Sequence, residues 1–370
     1  MKGISIVLKS IFVILFLCVG LQGMAQSVLS EGTFIKPSNK KIQYVGRISF
    51  KNPDAPCFTY PGVQINARFE GTSLKMMAKP MSGYFMAQID GCKPFKVGFN
   101  SANDSIVTLA VALPEEAHEV RLTYVIEGFR RHPEFWGFVL DNGRNLLNPP
   151  FLPKRKIEFI GDSMTCGLGI ESLNEKDPYM AETENYFYSY AARTAQALDA
   201  QALVVACSGV GVYRNHAGPK KGSDDNMSTI YGQTLWGDKT ETWNFMRYSP
   251  DVVCINLGMN DVSSGEYDRE FLLNAYRNFY RTVRGNYPRA KIVFLSGSML
   301  IGTRLEHVKF AMDEVVRDAR IAGDKGVFRF DMSWQTGELG MGACAHPSIW
   351  QHEKMAGELT AYLRGLMEWL

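Results

Sequence analysis

Four short polar stretches in the second half of the chain carry the side chains that acyl transfer needs. They are Gly161-Asp162-Ser163, Ser208-Gly209, Gly258-Met259-Asn260-Asp261 and His346-Pro347. A serine hydroxyl is a weak nucleophile until a base takes its proton, and histidine, with a pKa near 6.5, suits that task. These residue types predict a nucleophile at Ser163 and its general base at His346.

The same stretches offer neutral N–H groups for the negative charge that develops on a carbonyl oxygen during acyl transfer. The predicted donors are the backbone amides of Ser163 and Gly209 and the side-chain amide of Asn260. Removing one such donor typically slows an enzyme by about 10²–10³. Asp162 and Asp261 are expected to support their own loops and not to exchange protons with the substrate.

Alternating strands and helices must position these residues in a domain that we place at residues 154–370. The apolar runs have the length and continuity of buried parallel strands, and helical patterns separate them. The runs are Ile157–Ile160, Ala202–Cys207, Val252–Leu257, Ile292–Leu295 and Val327–Phe330. This alternation predicts a doubly wound α/β/α domain, in which ligands bind at the carboxyl ends of the strands. The polar stretches follow strands at that edge.

Residues 33–148 show a different periodicity, in which apolar and polar residues alternate. The segment from Val63 to Glu70 alternates without a break, and Val120 to Ile126 does so around Arg121 and Thr123. Many short strands without a helical pattern predict an antiparallel β-sandwich of the jelly-roll kind. A proline-rich linker, Asn148–Pro153, separates it from the second domain.

The start of the chain has the pattern of a cleaved export signal at residues 1–25. Lys2 and Lys9 precede an apolar stretch, Ile11–Leu21, and Gly23-Met24-Ala25 forms a small-x-small cleavage site. Cys18 follows Leu17 and not the small residue that precedes a lipidated cysteine, which favours cleavage over a lipid anchor. We therefore expect a periplasmic or secreted protein.

Charge and cysteine content set limits on partners and cofactors. The first 25 residues hold two of the 40 basic residues and none of the 38 acidic ones, so the remaining chain is formally neutral. Such a chain has no electrostatic footprint for nucleic acid or for a membrane surface. Six cysteines remain after cleavage without a Cys/His cluster, so we expect no metal and no other cofactor, and the disulfide pairing stays open.

The four stretches in this order resemble the sequence blocks of the SGNH (GDSL-type) hydrolases. A preceding sandwich, with YVGRISF near its start and IEFIGDSMTCGLG after it, is similar to carbohydrate esterase family 2. The resemblance implies an acetyl esterase without a cofactor that acts on acetylated polysaccharides or oligosaccharides such as xylan and glucomannan. Two alternatives remain open: another small-acyl or lipase-like SGNH hydrolase, and a glycan-binding protein that has lost turnover.

One position departs from the SGNH pattern and affects the expected mechanism. Ala343 stands three residues before His346, where the wider family has an aspartate that orients the imidazole. The resemblance to family 2 implies a Ser–His dyad, with a main-chain carbonyl, not assigned from sequence, in place of the aspartate. Asp331 is the carboxylate to test as a substitute.

Two residues between the second and third predicted strands of the α/β/α domain are candidates for substrate binding. Trp236 lies in a long insert and could form an aromatic platform for a sugar ring, or pack the insert. His216 follows the Gly209 loop and could contact substrate, or lie on the surface.

Overall fold

The computed structural model describes residues 32–369, so the expected signal peptide lies outside the described part. Nine antiparallel strands form two sheets in the first part of the chain, with the orders β1-β9-β4-β7 and β2-β3-β8-β5-β6. The strands are β1 (Thr33–Ile35), β2 (Gln43–Val45), β3 (Gln64–Glu70), β4 (Leu74–Ala78), β5 (Gly83–Ile89), β6 (Phe95–Phe99), β7 (Ile106–Ala110), β8 (Ala117–Tyr124) and β9 (Phe135–Leu140). The predicted antiparallel sandwich is confirmed.

The sandwich is held by the apolar residues that the alternating pattern directs inward. In β8 every second side chain from His118 to Leu122 is buried. Phe85 and Tyr124 meet edge to face, with ring centroids 5.1 Å apart, and Phe58 packs on both rings. Such pairs add a little to the stabilisation that comes from burying the rings.

Five parallel strands form the sheet of the second part, in the order β11-β10-β12-β13-β14. They are β10 (Arg155–Gly161), β11 (Ala200–Ala206), β12 (Val252–Asn256), β13 (Lys291–Ser296) and β14 (Val327–Asp331). The chain leaves β10 toward β11 on one side and later returns to β12 on the other. A crevice forms where the strand order reverses in this way. Ser163 lies just beyond the carboxyl end of β10, at that crevice.

Helices cover both faces of this sheet, as the doubly wound architecture requires. They are α1 (Ser163–Cys166), α2 (Tyr190–Ala197), α3 (Met227–Ile230), α4 (Arg269–Asn286), α5 (Gly302–Ile321) and α6 (Ile349–Met367). Helices α2 and α6 pack on one face, against Phe159 and Val204, and α4 and α5 pack on the other, against Ile160 and Val205. No helix between residues 32 and 369 is both long and apolar enough to cross a membrane.

The spacing of tyrosine, phenylalanine and alanine over Glu184–Leu198 predicts one helix, but the structure has only the shorter helix α2 there. Residues Tyr186–Tyr188 form a separate 3₁₀ turn capped by the Asn185 side chain. Ser189 then adopts an extended conformation and caps α2 with its own hydroxyl. Two capping side chains in sequence therefore divide one helical pattern into two elements.

A buried ion pair joins the sandwich to the parallel sheet. Arg47, between β2 and β3, places Nη2 at 3.2 Å from Oε1 of Glu158 in β10, and both side chains are fully buried. The Tyr231 hydroxyl donates to the other Glu158 oxygen at 3.0 Å, and Arg47 also donates to the Gln233 carbonyl oxygen at 3.0 Å. Because a buried charge is costly without partners, these bonds fix how the two parts meet.

Candidate active site

Ser163 lies in a tight turn between β10 and the single-turn helix α1. The Asp162 side chain caps α1 by accepting from the Met164 amide at 3.1 Å. Gly161 is needed because a Cβ there would lie only 2.0 Å from Oγ1 of Thr165. The turn holds Ser163 at the sheet edge, where its side chain is almost fully buried.

His346 meets Ser163 although the two lie 183 positions apart in the sequence. Nε2 of the ring is 2.9 Å from the Ser163 Oγ, and Nδ1 is 3.1 Å from the carbonyl oxygen of Cys344. Since a carbonyl can only accept, Nδ1 carries the proton and Nε2 is left to accept from the serine hydroxyl. The resemblance stated above implied a main-chain acceptor that the sequence did not assign, and the Cys344 carbonyl lies at that position.

The Cys344 carbonyl reaches the ring because two successive residues adopt left-handed backbone conformations. Cys344 and Ala345 both have φ of +53°, which is uncommon outside glycine. Amides of this turn donate to the loop after Ser163: Ala343 to the Gly169 carbonyl at 3.1 Å and Cys344 to that of Asp177 at 3.0 Å. The nucleophile loop therefore supports the turn that carries the base.

Burial lowers the pKa of His346 below its ordinary value. The hydrogen bonds to the backbone at Cys344 and Ala343 oppose this shift, and the charge that His216 can carry adds to it. The ring is accordingly neutral at neutral pH, which is the state that can accept a proton.

The predicted oxyanion donors differ in whether their N–H groups already donate hydrogen bonds within the protein. Within residues 32–369, neither the Ser163 amide nor the Gly209 amide is hydrogen-bonded to another group of the protein. The Asn260 side chain, in contrast, donates to Asp162 at 3.2 Å and to the Val210 carbonyl at 2.9 Å. These two bonds use both of its N–H groups, so Asn260 must share or exchange one of them in order to donate to an oxyanion.

Asp162 and Asp261 are fully buried and hold loops, as the sequence predicted. Asp261 accepts from the amides of Val212, Tyr213 and Arg214 at 2.8–3.0 Å, and thereby fixes the chain beyond Gly209. Burial raises the pKa of Asp261 to about 6 against the effect of these amides. Burial, with a contribution from the Asp261 charge, raises the pKa of Asp162 to about 7.

Two of the other candidates lie near the site or its border. His216 is exposed beside the Gly209 loop, and its amide donates to the Gly209 carbonyl at 2.7 Å. Trp236 is half-buried, and its ring centroid lies 6.3 Å from that of Tyr60 and 6.2 Å from that of Phe129. Trp236 thus packs against rings of the sandwich, and its role as a platform for a sugar ring stays a prediction.

Asp331 does not contact His346. Its carboxylate accepts from the Ser296 hydroxyl at 2.9 Å and pairs with Lys309 at 3.1 Å. The sequence reasoning missed a different carboxylate, Glu127, which follows β8 in the sandwich and accepts from the Ser208 amide at 2.6 Å. Nothing in the local pattern around Glu127 indicates this contact, because it arises only when the two parts pack together.

The chain matches known families in both of its parts. Residues 44–150 match the carbohydrate esterase 2 N-terminal family, and residues 159–348 match the GDSL-like lipase/acylhydrolase family. The parallel sheet and the second match together define a GDSL-type carboxylic ester hydrolase.

Individual relatives are similar over nearly the whole chain. The acetylxylan esterase/glucomannan deacetylase of Cellvibrio japonicus is 32% identical over 93% of this chain and 94% of its own length. The cellulase/esterase CelE of Acetivibrio thermocellus is 36% identical over 90% of this chain, which spans only 40% of that longer protein. A family two carbohydrate esterase from Clostridium thermocellum, solved in complex with cellohexaose, superposes with a TM-score of 0.82 at 36% identity, covering 89% of this chain and all of that one. The chain belongs to carbohydrate esterase family 2.

Proposed function

We propose that this protein removes O-acetyl groups from acetylated polysaccharides or oligosaccharides of the xylan and glucomannan type, through an acyl-enzyme on Ser163. The observation that carries the proposal is the 2.9 Å contact between the Ser163 Oγ and Nε2 of a His346 ring whose Nδ1 is held by the Cys344 carbonyl. The relatives named for acetylxylan and glucomannan deacetylation support the substrate class.

In the first half of the reaction, Nε2 of His346 takes the hydroxyl proton as the Ser163 Oγ attacks the acetyl carbonyl carbon. The negative charge that forms on the carbonyl oxygen is met by the free amides of Ser163 and Gly209, and by Asn260 when it releases one of its present acceptors. His346 then gives the proton to the sugar oxygen, the C–O bond breaks, and the deacetylated sugar leaves.

In the second half, water takes the place of the sugar hydroxyl. His346 accepts a proton from the water, whose oxygen attacks the acetyl-serine. Collapse of the second tetrahedral intermediate releases acetate and returns the proton to Ser163. The Cys344 carbonyl keeps the imidazole in one tautomer and orientation through both halves, but it adds no negative charge to stabilise the imidazolium.

The site of action follows from the expected signal at residues 1–25. We infer that the protein is exported to the periplasm or the exterior, where polymeric substrates are found. Expression in a bacterial host, followed by fractionation and mass spectrometry of the N-terminus, tests this. A mature chain that begins at or near Gln26 supports export, and a cytoplasmic chain that retains Met1 refutes it.

The experiment on activity measures acetate released from acetylated xylan, acetylated glucomannan and 4-nitrophenyl acetate. We expect release from at least one polysaccharide, and a loss of about 10³-fold or more in Ser163→Ala and His346→Ala. His132→Ala, which changes the other His-Pro pair of the chain, is the matched control and should keep wild-type rates. Faster turnover of long-chain esters would favour a lipase-like enzyme. Acetate release by wild type that is no faster than the background rate of Ser163→Ala would favour a binding protein.

A further inference from the structure

Glu127 of the sandwich reaches the loop that carries a predicted oxyanion donor. It lies beyond the end of β8, and only 8% of the residue is exposed. Its Oε1 accepts from the Ser208 amide at 2.6 Å, and Ser208 directly precedes Gly209. The contact therefore connects the N-terminal part of the chain to Ser208, the residue whose carbonyl group and the Gly209 amide form one peptide unit.

Few contacts hold the Ser208–Gly209 peptide in place, and the direct one is the Cys207 thiol, which donates to the Ser208 carbonyl at 3.8 Å. Gly209 has φ of +79°, and a Cβ built on it would have a single neighbour within 4 Å, the His216 Cβ at 3.9 Å. On the far side of Gly209, the His216 amide donates to the Gly209 carbonyl at 2.7 Å. On the near side, the anchor is the bond from the Ser208 amide to Glu127. Because side-chain packing does not fix Gly209, hydrogen bonds must set the direction of its amide.

Glu127 is itself held by a second buried carboxyl group. Oε1 of Glu184 accepts from the Glu127 amide at 3.0 Å, and the Tyr179 hydroxyl donates to the other Glu184 oxygen at 2.7 Å. Burial, followed by the neighbouring Glu127 carboxylate, raises the pKa of Glu184 well above its usual range. This shift favours the protonated form of Glu184, which reduces its repulsion of Glu127.

We propose that Glu127 is a positioning residue for catalysis: the sandwich supplies the acceptor that aims the Ser208–Gly209 peptide at the developing oxyanion. The proposal rests on the proposed function of Ser163 and His346. It gives the sandwich a part in the reaction itself, because the catalytic loop is complete only when the two parts are packed together.

The experiment compares three changes at Glu127 in the full chain, with 4-nitrophenyl acetate as substrate. Glu127→Ala removes the acceptor, Glu127→Asp keeps the charge but shortens its reach by one methylene, and Glu127→Gln keeps an acceptor oxygen without the charge. Loss of alignment should lower kcat by about 10–100-fold in the alanine and aspartate variants, with KM within about three-fold of wild type. The glutamine variant should keep kcat within about three-fold, since a neutral hydrogen bond is weaker but still directs the amide.

The binding of a tetrahedral inhibitor distinguishes a positioning role of Glu127 from a purely structural one, because the inhibition constant Ki depends on the alignment of the Gly209 amide. A small alkylboronic acid accepts the Ser163 Oγ on boron and places a boron-bound oxygen at the oxyanion position. We expect its Ki in Glu127→Ala and Glu127→Asp to rise by the factor by which kcat/KM falls, while Glu127→Gln stays near wild type. Glu134→Ala, a change at another carboxylate on the β8–β9 connection, is the matched control and should alter neither quantity.

Four results would overturn the proposal. Wild-type kcat in both Glu127→Ala and Glu127→Asp would show that the bond is dispensable. A rise in KM alone would indicate a substrate contact, since Glu127 also lines a cleft of about 380 Å³ with Phe129 and Tyr179. A glutamine variant as slow as the alanine variant would show that the charge matters and not the acceptor.

The fourth result concerns a metal, because ligand atoms of Glu127, Cys166 and Glu184 all lie within 4.8 Å of one another. A loss of wild-type activity on treatment with EDTA, restored by a divalent cation, would make Glu127 a ligand and not a positioning group. Should Glu127→Ala fail to fold, the contrast between the aspartate and glutamine variants still decides the question. Wild type that cleaves 4-nitrophenyl acetate but no acetylated polysaccharide would refute the proposed substrate and leave this test valid.

Discussion

The contact between the nucleophile loop and the turn that carries the base gives a sharp test of the dyad. Gly169 has φ of +62°, and a Cβ there would lie 2.6 Å from the Ala343 Cβ, 2.9 Å from its amide nitrogen and 3.0 Å from its Cα. Carbon atoms in contact normally lie about 3.5–4.0 Å apart. In Gly169→Ala the Ala343 backbone must therefore move by roughly 1 Å, and His346 is three residues further on.

We expect this single methyl group to slow catalysis more than it destabilises the protein. Placing alanine in a left-handed conformation costs about 1–2 kcal/mol of folding free energy. A displacement of about 1 Å at a reacting group can cost on the order of 10²-fold in rate. Gly169→Ala should therefore lose about 100-fold in kcat on 4-nitrophenyl acetate, while urea unfolding still shows a cooperative, folded protein.

Gly91→Ala is the matched control for backbone strain. Gly91 lies between β5 and β6 and has φ of +69°, but a Cβ there would have no neighbour within 4 Å. The control should lose about the same 1–2 kcal/mol of stability and keep wild-type kcat. Wild-type kcat in Gly169→Ala, or an equal loss of kcat in Gly91→Ala, would refute the view that the Gly169–Ala343 contact sets the position of His346.

Three further predictions follow from the charged and titratable groups of the site and its surroundings. Burial lowers the pKa of His346, and only the neutral ring accepts a proton. We therefore expect kcat/KM to be level near neutral pH and to fall at acid pH with a midpoint below pH 6.5. A midpoint at or above pH 6.5 would contradict this. Asp331→Ala should keep kcat within about two-fold, since its partners are Ser296, Lys309 and Arg329; a loss as large as that of His346→Ala would identify Asp331 as a catalytic carboxylate. Burial lowers the pKa of His352 to about 3, so between pH 6.5 and 3 the unfolded chain binds a proton that the folded chain resists, and stability falls as the pH falls. His352→Gln should reduce the loss of unfolding free energy between pH 7 and 4 by at most about 3 kcal/mol, and an unchanged urea-denaturation difference would refute the assignment.

The parts of the fold that depend on local pattern could be predicted from the sequence. The continuous apolar runs form β10–β14, because a strand buried on both faces is apolar throughout. The alternating segments form strands of the sandwich, because a strand buried on one face has apolar residues at every second position. The position of Ser163 followed from the end of β10, and that of His346 from the loop before α6.

The features that depend on backbone torsions or on packing between distant segments could not be predicted from the sequence. No residue type signals that Cys344 and Ala345 both take left-handed conformations, so the acceptor for Nδ1 had no sequence pattern. The Asn260 amide could be named as a donor, but not its bonds to Asp162 and Val210. These contacts are formed by tertiary structure and are not visible in a single segment.

The use of a carbonyl in place of a carboxylate is consistent with the charges already buried at this site. Asp162 and Asp261 lie close enough for the charge of Asp261 to raise the pKa of Asp162, and both are fully buried. A further carboxylate beside His346 would oppose their ionisation and, in the proposed reaction, the negative charge on the acetyl oxygen. The Cys344 carbonyl accepts from Nδ1 without that repulsion, and in the proposed reaction the lowered pKa of His346 would make the imidazolium a stronger acid toward the departing sugar oxygen. The proposed dyad would therefore stabilise the imidazolium less, but it would protonate the leaving group more readily and leave the oxyanion in less negative surroundings.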